Sequence, residues 1–188
     1  MKRWWVGSLA MAAMTVTLPA LADPPATAGA VQLGLGFRYG FEMNDGDFNP
    51  WGPGLGLDIG YTLPNALYLG ANAEYFFGET VDVEGLGELK GNVWQVTAEV
   101  GYDLGLGDRV VIRPKVGLGV ASLNSESCVD LGSDEVCTDD SSTNFAATPG
   151  VDLLYLGEHF SLTVDVRYDL IFADPAAKAV LLSVGFGF

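Results

Sequence analysis

Basic residues are scarce in this chain: nine Lys and Arg stand against 24 Asp and Glu, and there is one histidine. A formal charge of −15 lacks the basic footprint that nucleic-acid binding requires, so nucleic acid is excluded as a partner. Cysteine is scarcer still, with only Cys128 and Cys137. Two thiols are too few for a structural zinc site, which takes four ligands. Beyond the first two dozen residues no apolar run approaches the roughly 18 residues of a membrane helix, because charges or glycines interrupt every stretch. Any passage through a bilayer downstream of that point has to be made with strands. Apolar residues are not lacking, at 49% of the chain, and this separates it from acidic disordered sequences.

The first 22 residues read as an address. Lys2 and Arg3 form a positive start, residues 4–18 are mainly apolar, and Ala20-Leu21-Ala22 offers the small-x-small pattern of a signal-peptidase site. The apolar stretch is short for an anchor and ends at Pro19, before Asp23-Pro24-Pro25. Cleavage after Ala22 would take the formal charge to −17, with residues 23–30 as a short N-terminal segment and 31–188 as one domain. In an exported chain, Cys128 and Cys137 in a polar stretch favour a single disulfide.

Residues 31–188 divide into eight runs of period two: 31–42, 54–63, 67–77, 93–104, 109–121, 145–155, 160–170 and 179–188. In the clearest, Trp94, Val96, Ala98, Val100 and Tyr102 alternate with Gln95, Thr97, Glu99, Gly101 and Asp103. Each run has about the length of a tilted bilayer-crossing strand. Pro114 lacks a ladder donor and predicts a bulge. Short connections (63–67, 104–109, 155–160) alternate with long ones (43–53, 78–92, 122–144, 171–178). Turns therefore fall at one end and loops at the other, as in outer-membrane barrels with periplasmic turns and extracellular loops. The expected fold is all-β, an eight-stranded antiparallel up-and-down transmembrane β-barrel.

Alternation alone leaves open a soluble barrel with its apolar face inside. The polar face decides between them, because it is crowded with glycines such as Gly34, Gly36, Gly56, Gly60, Gly117 and Gly119. Such a face suits the narrow interior of an eight-stranded barrel and not a solvated exterior. Bulky aromatics near the strand ends, including Phe41, Tyr61, Tyr75, Trp94 and Tyr155, fit girdles at the two interfaces.

Height above the tight turns places Asp58, Glu74, Glu99 and Asp165 in a luminal belt with Arg38, Arg113, Lys115 and Arg167. The 104–109 turn sets Glu99 opposite Arg113 or Lys115, predicting at least one cross-strand ion pair. Such a belt either forms an ion or proton path or packs the lumen shut. Paired buried charges are tolerable where unpaired ones are not, and packing is the favoured reading.

These features resemble the small eight-stranded outer-membrane proteins of the OmpA, OmpX and opacity type. The resemblance rests on the leader, strand count, loop asymmetry and the ending Gly185-Phe186-Gly187-Phe188. It implies that Phe188, with Phe186, Val184, Leu182 and Val180 at alternate positions before it, is read by the outer-membrane assembly machinery. Ser183 and Leu181 depart from the family's usual glycine and polar residue. The resemblance also implies a monomer among outer-membrane lipid and lipopolysaccharide. Since the sequence stops at the last strand, no peptidoglycan-gripping domain is expected.

His159-Phe160-Ser161 resembles the His-x-Ser of barrel lipid A deacylases, but falls in a periplasmic-side turn, away from the outer leaflet. No catalytic residue is assigned. Stretch 122–144 carries Glu126, Asp130, Asp134, Glu135, Asp139 and Asp140 without the order of an EF-hand, so calcium stays an alternative to a plain acidic loop. The expectation is a non-enzymatic barrel without metal or cofactor, with a structural or adhesion-like surface role and an unknown extracellular ligand. Small-solute conduction is the alternative, and lipid modification a more remote one.

Overall fold

The structure, a computed structural model, describes residues 25–43, 49–83, 87–130 and 135–188. The signal peptide assigned to residues 1–22 lies outside the described residues.

Ten strands form: β1 (Val31–Glu42), β2 (Gly52–Thr62), β3 (Leu67–Phe76), β4 (Thr80–Val83), β5 (Gly87–Tyr102), β6 (Leu104–Gly105), β7 (Val110–Asp130), β8 (Glu135–Leu156), β9 (Ser161–Ile171) and β10 (Ala177–Gly187). Eight make the barrel, in the order β5-β3-β2-β1-β10-β9-β8-β7, and β7 returns to pair with β5. Every neighbour is antiparallel. Closure between first and last strands runs from Gly34↔Gly187 to Glu42↔Ala179. Beyond it, Phe188 N–H donates to the Leu33 carbonyl at 3.0 Å and the Phe188 carbonyl accepts from Leu33 N–H at 3.2 Å, so the final residue is part of the seam. Closing the sheet leaves no barrel edge exposed to hydrocarbon, the condition for spanning a bilayer with strands.

The alternation reads directly as inside and outside. Leu33, Leu35, Phe37, Leu55, Leu57, Ile59, Val96, Val164 and Val184 project outward and are exposed on the isolated chain, while Arg38, Asn72, Glu74, Thr97 and Asp165 point inward and are buried. Aromatic pairs lie at the extracellular rim, Tyr39 with Phe41 at 4.7 Å between ring centroids, Tyr75 with Phe77 at 5.2 Å and Phe145 with Phe172 at 5.7 Å. Tyr61, Tyr155, Phe160 and Phe188 mark the opposite rim. The outward apolar band between these rims is the lipid-facing surface.

Three sequence expectations change. The described residues of segment 122–144 are strand: β7 reaches Asp130 and β8 starts at Glu135, in one register from Val110↔Tyr155 to Asp130↔Glu135. Segment 78–92 likewise carries β4 and the start of β5, whose residues 88–92 pair with residues 124–128 of β7. Nor does Pro114 make a bulge. The register is the same on both sides of it, Gly101↔Lys115 and Leu104↔Ile112, and the ladder simply skips the position where proline has no N–H. On the other side of the strand, Asp103 N–H donates to the Ala66 carbonyl at 2.9 Å and continues the pairing with β3.

Candidate functional site

The lumen is filled in three layers. At the periplasmic end, Arg113 places Nε 2.5 Å and Nη2 2.9 Å from the two oxygens of Asp103, and its guanidinium lies 3.7 Å from the Tyr68 ring centroid. Thr62 and Thr27 also donate their hydroxyls to Asp103, at 3.0 and 2.5 Å. Thr27 belongs to the segment before β1, so that segment covers part of this mouth, and an open pocket of about 430 Å³ remains at the rim beside it. The Tyr68 ring lies across the bore, and a Cβ at Gly60 or Gly70 would collide with it.

The middle layer holds the charges. Arg167 forks onto Glu74 with two bonds of 2.9 Å and reaches Asp165 at 2.6 Å through Nε. Arg38 contacts Asp58 at 2.8 Å and Glu74 at 3.1 Å. Lys115 bridges Asp152 at 3.0 Å and Glu99 at 3.3 Å. The fit is tight, since a Cβ at Gly56 would run into the Arg38 guanidinium. All eight belt residues named from the sequence lie in the bore, but Arg113 belongs chiefly to the periplasmic layer. Asp152 and Asp103, which that reading left out of the belt, carry two of its bases. Beside these layers remains a cavity of about 50 Å³, lined in part by Arg38, Asp58, Tyr68, Arg113, Lys115 and Asp165 and reaching Gln32 and Ser161 at the periplasmic rim. It has room for a few waters and not for a solute.

The extracellular layer is apolar. Trp51, Phe76, Val93, Ala121, Ala146, Ile171, Ala177, Ala179 and Leu181 form one buried cluster. Trp51, fully buried, seats against Gly40, where a Cβ would collide with it, and donates Nε1–H to Asp169 at 3.3 Å. This accounts for Leu181, the residue that departed from the expected polar type: it faces inward and packs in the cap.

Above the rim, β4, β5, β7 and β8 continue as a sheet outside the barrel. Residues 124–130 of β7 and 135–141 of β8 stand past the Leu123↔Ser142 level, where β5 parts from β3, projecting about 23 Å along the strands. Cys128 and Cys137 face each other across β7 and β8 and are disulfide-bonded. A loop of this size, so closed, gains about 2 to 3 kcal/mol. Glu126 lies beside the disulfide, with its carboxylate 3.6 Å from the Cys128 sulfur. Among the described residues Glu126, Cys128 and Cys137 are the one metal-ligating group of three, and both sulfurs are engaged in the disulfide. Asp134 lies outside the described residues. His159, exposed, and Ser161 lie at the periplasmic rim, and no hydrogen bond joins them among the described residues.

A closed eight-stranded barrel with a lipid-facing apolar band and a polar, packed lumen matches a known family over nearly its whole length. The family model of the outer membrane protein beta-barrel domain covers residues 8–188. The chain belongs to this family. As an outer membrane protein beta-barrel domain, it is a protein of the bacterial outer membrane. Its fold is similar to that of a major outer membrane protein from Thermus thermophilus, with TM-score 0.60 and 17% identity over 85% of this chain and 99% of that one. It is similar also to Ail, the attachment invasion locus protein of Yersinia pestis, with TM-score 0.54 and 16% identity over 85% and 97% of the two chains. Ail in complex with the heparin analogue sucrose octasulfate gives 0.55 and 17% over the same shares. At these identities the likeness is one of fold. None of the curated proteins matches the chain.

Proposed function

We propose that this outer-membrane barrel is a non-conducting, non-enzymatic monomer that acts through its extracellular sheet, in an adhesion-like surface role. The observation that carries this reading is the continuation of β5, β7 and β8 far past the lipid-facing band, in a hairpin closed by the Cys128–Cys137 disulfide. Crossing a bilayer takes about 9 to 11 residues per strand, whereas β7 has 21 and β8 has 22. The surplus length serves no membrane purpose. Against the channel alternative stand the three luminal layers. The terminal register Val180, Leu182, Val184, Phe186 and Phe188 is outward-facing and ends on the closing seam, where an assembly machinery reaching the barrel from the lipid side would meet it.

Charge selects among ligand classes. The four extracellular segments carry thirteen of the 24 acidic residues against Lys90 and Lys178. Ail was solved with a heparin analogue, a polyanion, and such a ligand is electrostatically disfavoured here. Liposomes carrying the refolded protein should be retained on a polylysine surface at physiological salt and pass freely over heparin. Replacing residues 124–142 by a short turn, with the barrel intact, should reduce polylysine retention by about half or more. Retention on heparin, or equal retention by the trimmed variant, would overturn the surface reading.

A further inference from the structure

One face of the extracellular sheet gathers two sulfurs and a carboxylate. Cys128 and Cys137 stand directly opposite each other on β7 and β8 with Cα atoms 4.0 Å apart, the spacing of a non-hydrogen-bonded antiparallel pair, in which side chains lie close together. Glu126, two residues before Cys128, shares that face and brings its carboxylate 3.6 Å from the Cys128 sulfur. The ligand atoms of all three lie within 4.8 Å of one another. No proton stands in the Glu126 contact, because the sulfur is bonded to Cys137, and no donor among the described residues meets this carboxylate. Lys90, across from Glu126 on β5, is held by Glu88 at 2.7 Å. Asp139, across from Glu126 on β8, adds a second carboxylate to the face.

We infer that reduction of this disulfide turns Cys128, Cys137 and Glu126 into a binding site for a thiophilic divalent cation of the zinc class. Cys137 is exposed whereas Cys128 is 5% exposed, so a small thiol attacks the Cys137 sulfur and Cys128 leaves as a thiolate. A second thiol then frees Cys137. The protein disulfide thereby gains two electrons and two protons, and the two small thiols leave as one disulfide. The cation displaces both thiol protons and takes two thiolates and the Glu126 carboxylate, with the fourth tetrahedral position open to water. Thiolate ligands select against calcium and magnesium, which take oxygen. The disulfide is not needed to hold the donors together. Ladder pairs continue on both sides of it, to Asp130↔Glu135 above and through Glu126↔Asp139 below, and β5 backs β7 as far as Glu88↔Cys128. The two sulfurs therefore stay opposite each other once the bond between them is cut. In the oxidised chain neither sulfur is a thiolate, so the site exists only in reducing surroundings.

The test uses the full refolded chain in detergent, reduced with a phosphine, which becomes a phosphine oxide and brings no competing thiol. Cadmium serves as the probe of the zinc class. The reduced chain is expected to bind one cadmium with a thiolate-to-metal absorption band in the ultraviolet, and the oxidised chain to bind it at least about 100-fold more weakly. E126Q should weaken binding by about tenfold or more at unchanged thiol content. Excess calcium should leave the band in place, and the chain carrying both C128S and C137S should show none while gel mobility reports an intact barrel. A reduced chain without the band would overturn the site, as would equal uptake by the oxidised chain. Unchanged affinity in E126Q, or displacement of cadmium by calcium, would overturn it too.

Discussion

Arg167→Ala is expected to destabilise the barrel by about 3 to 5 kcal/mol, the usual cost of removing one partner of a buried ion pair. Arg167 is 1% exposed, forks onto Glu74 and reaches Asp165 through its Nε. Its removal leaves Glu74 with Arg38 and a long 3.5 Å bond from Gln95, and takes from Asp165 its shortest cationic contact, leaving the Ser183 hydroxyl at 2.7 Å and Arg38 at 3.9 Å. Both carboxylates stay buried in the bore, where an unpaired charge is costly. Arg167→Lys should lose less, because it keeps the charge and gives up the fork. Urea unfolding of the refolded protein in micelles measures both. A change below about 1 kcal/mol for the alanine variant would mean that the middle layer does not hold the barrel together.

Trp51→Ala should cost a comparable amount, about 3 to 5 kcal/mol, through a different mechanism. Among the described residues the indole is the largest fully buried side chain, and its seat against Gly40 cannot be refilled by neighbours fixed in strands. The substitution also takes from Asp169 its indole donor. The variant should unfold at lower urea yet stay electrically silent in a bilayer, because Arg38, Arg167 and their acids still fill the section below the cap. A variant that unfolds normally would show that the apolar cap carries little of the stability.

The barrel was legible because its causes are local. Period-two alternation fixes which side chain faces which way, and connection lengths fix which end is which, so strand identity and orientation follow from residues such as Trp94 to Tyr102 without knowledge of their neighbours. The site was legible in composition but not in partnership. Counting height along single strands finds Arg38, Glu74 and Arg167, yet tilted strands are staggered around a barrel. Pairs such as Glu74 with Arg167, 93 positions apart, are therefore set by shear that no single run reveals. Asp103 and Arg113 instead face each other across the 104–109 turn, and Asp152 meets Lys115 diagonally on the neighbouring strand, so these pairs depend on the exact register of adjacent strands.

The apolar cap left a trace that went unread. Phe76 and Leu181 are bulky residues in a luminal register, odd for a polar bore but natural for a lid over it. Trp51 left no such trace, because it lies at a loop end where periodicity stops. The hairpin was hidden for another reason. Residues 122–144 are polar on both faces, which is how a strand pair standing in water on both sides must look, and polarity on both faces reads as a loop.

The most direct test of a packed barrel that works from its outer surface is planar-bilayer recording of the refolded protein. The three luminal layers predict no unitary currents at any applied voltage, from the full chain and from Trp51→Ala alike. Steady, voltage-independent unitary steps from the unmodified protein would contradict this account and turn the luminal charges into the walls of a channel.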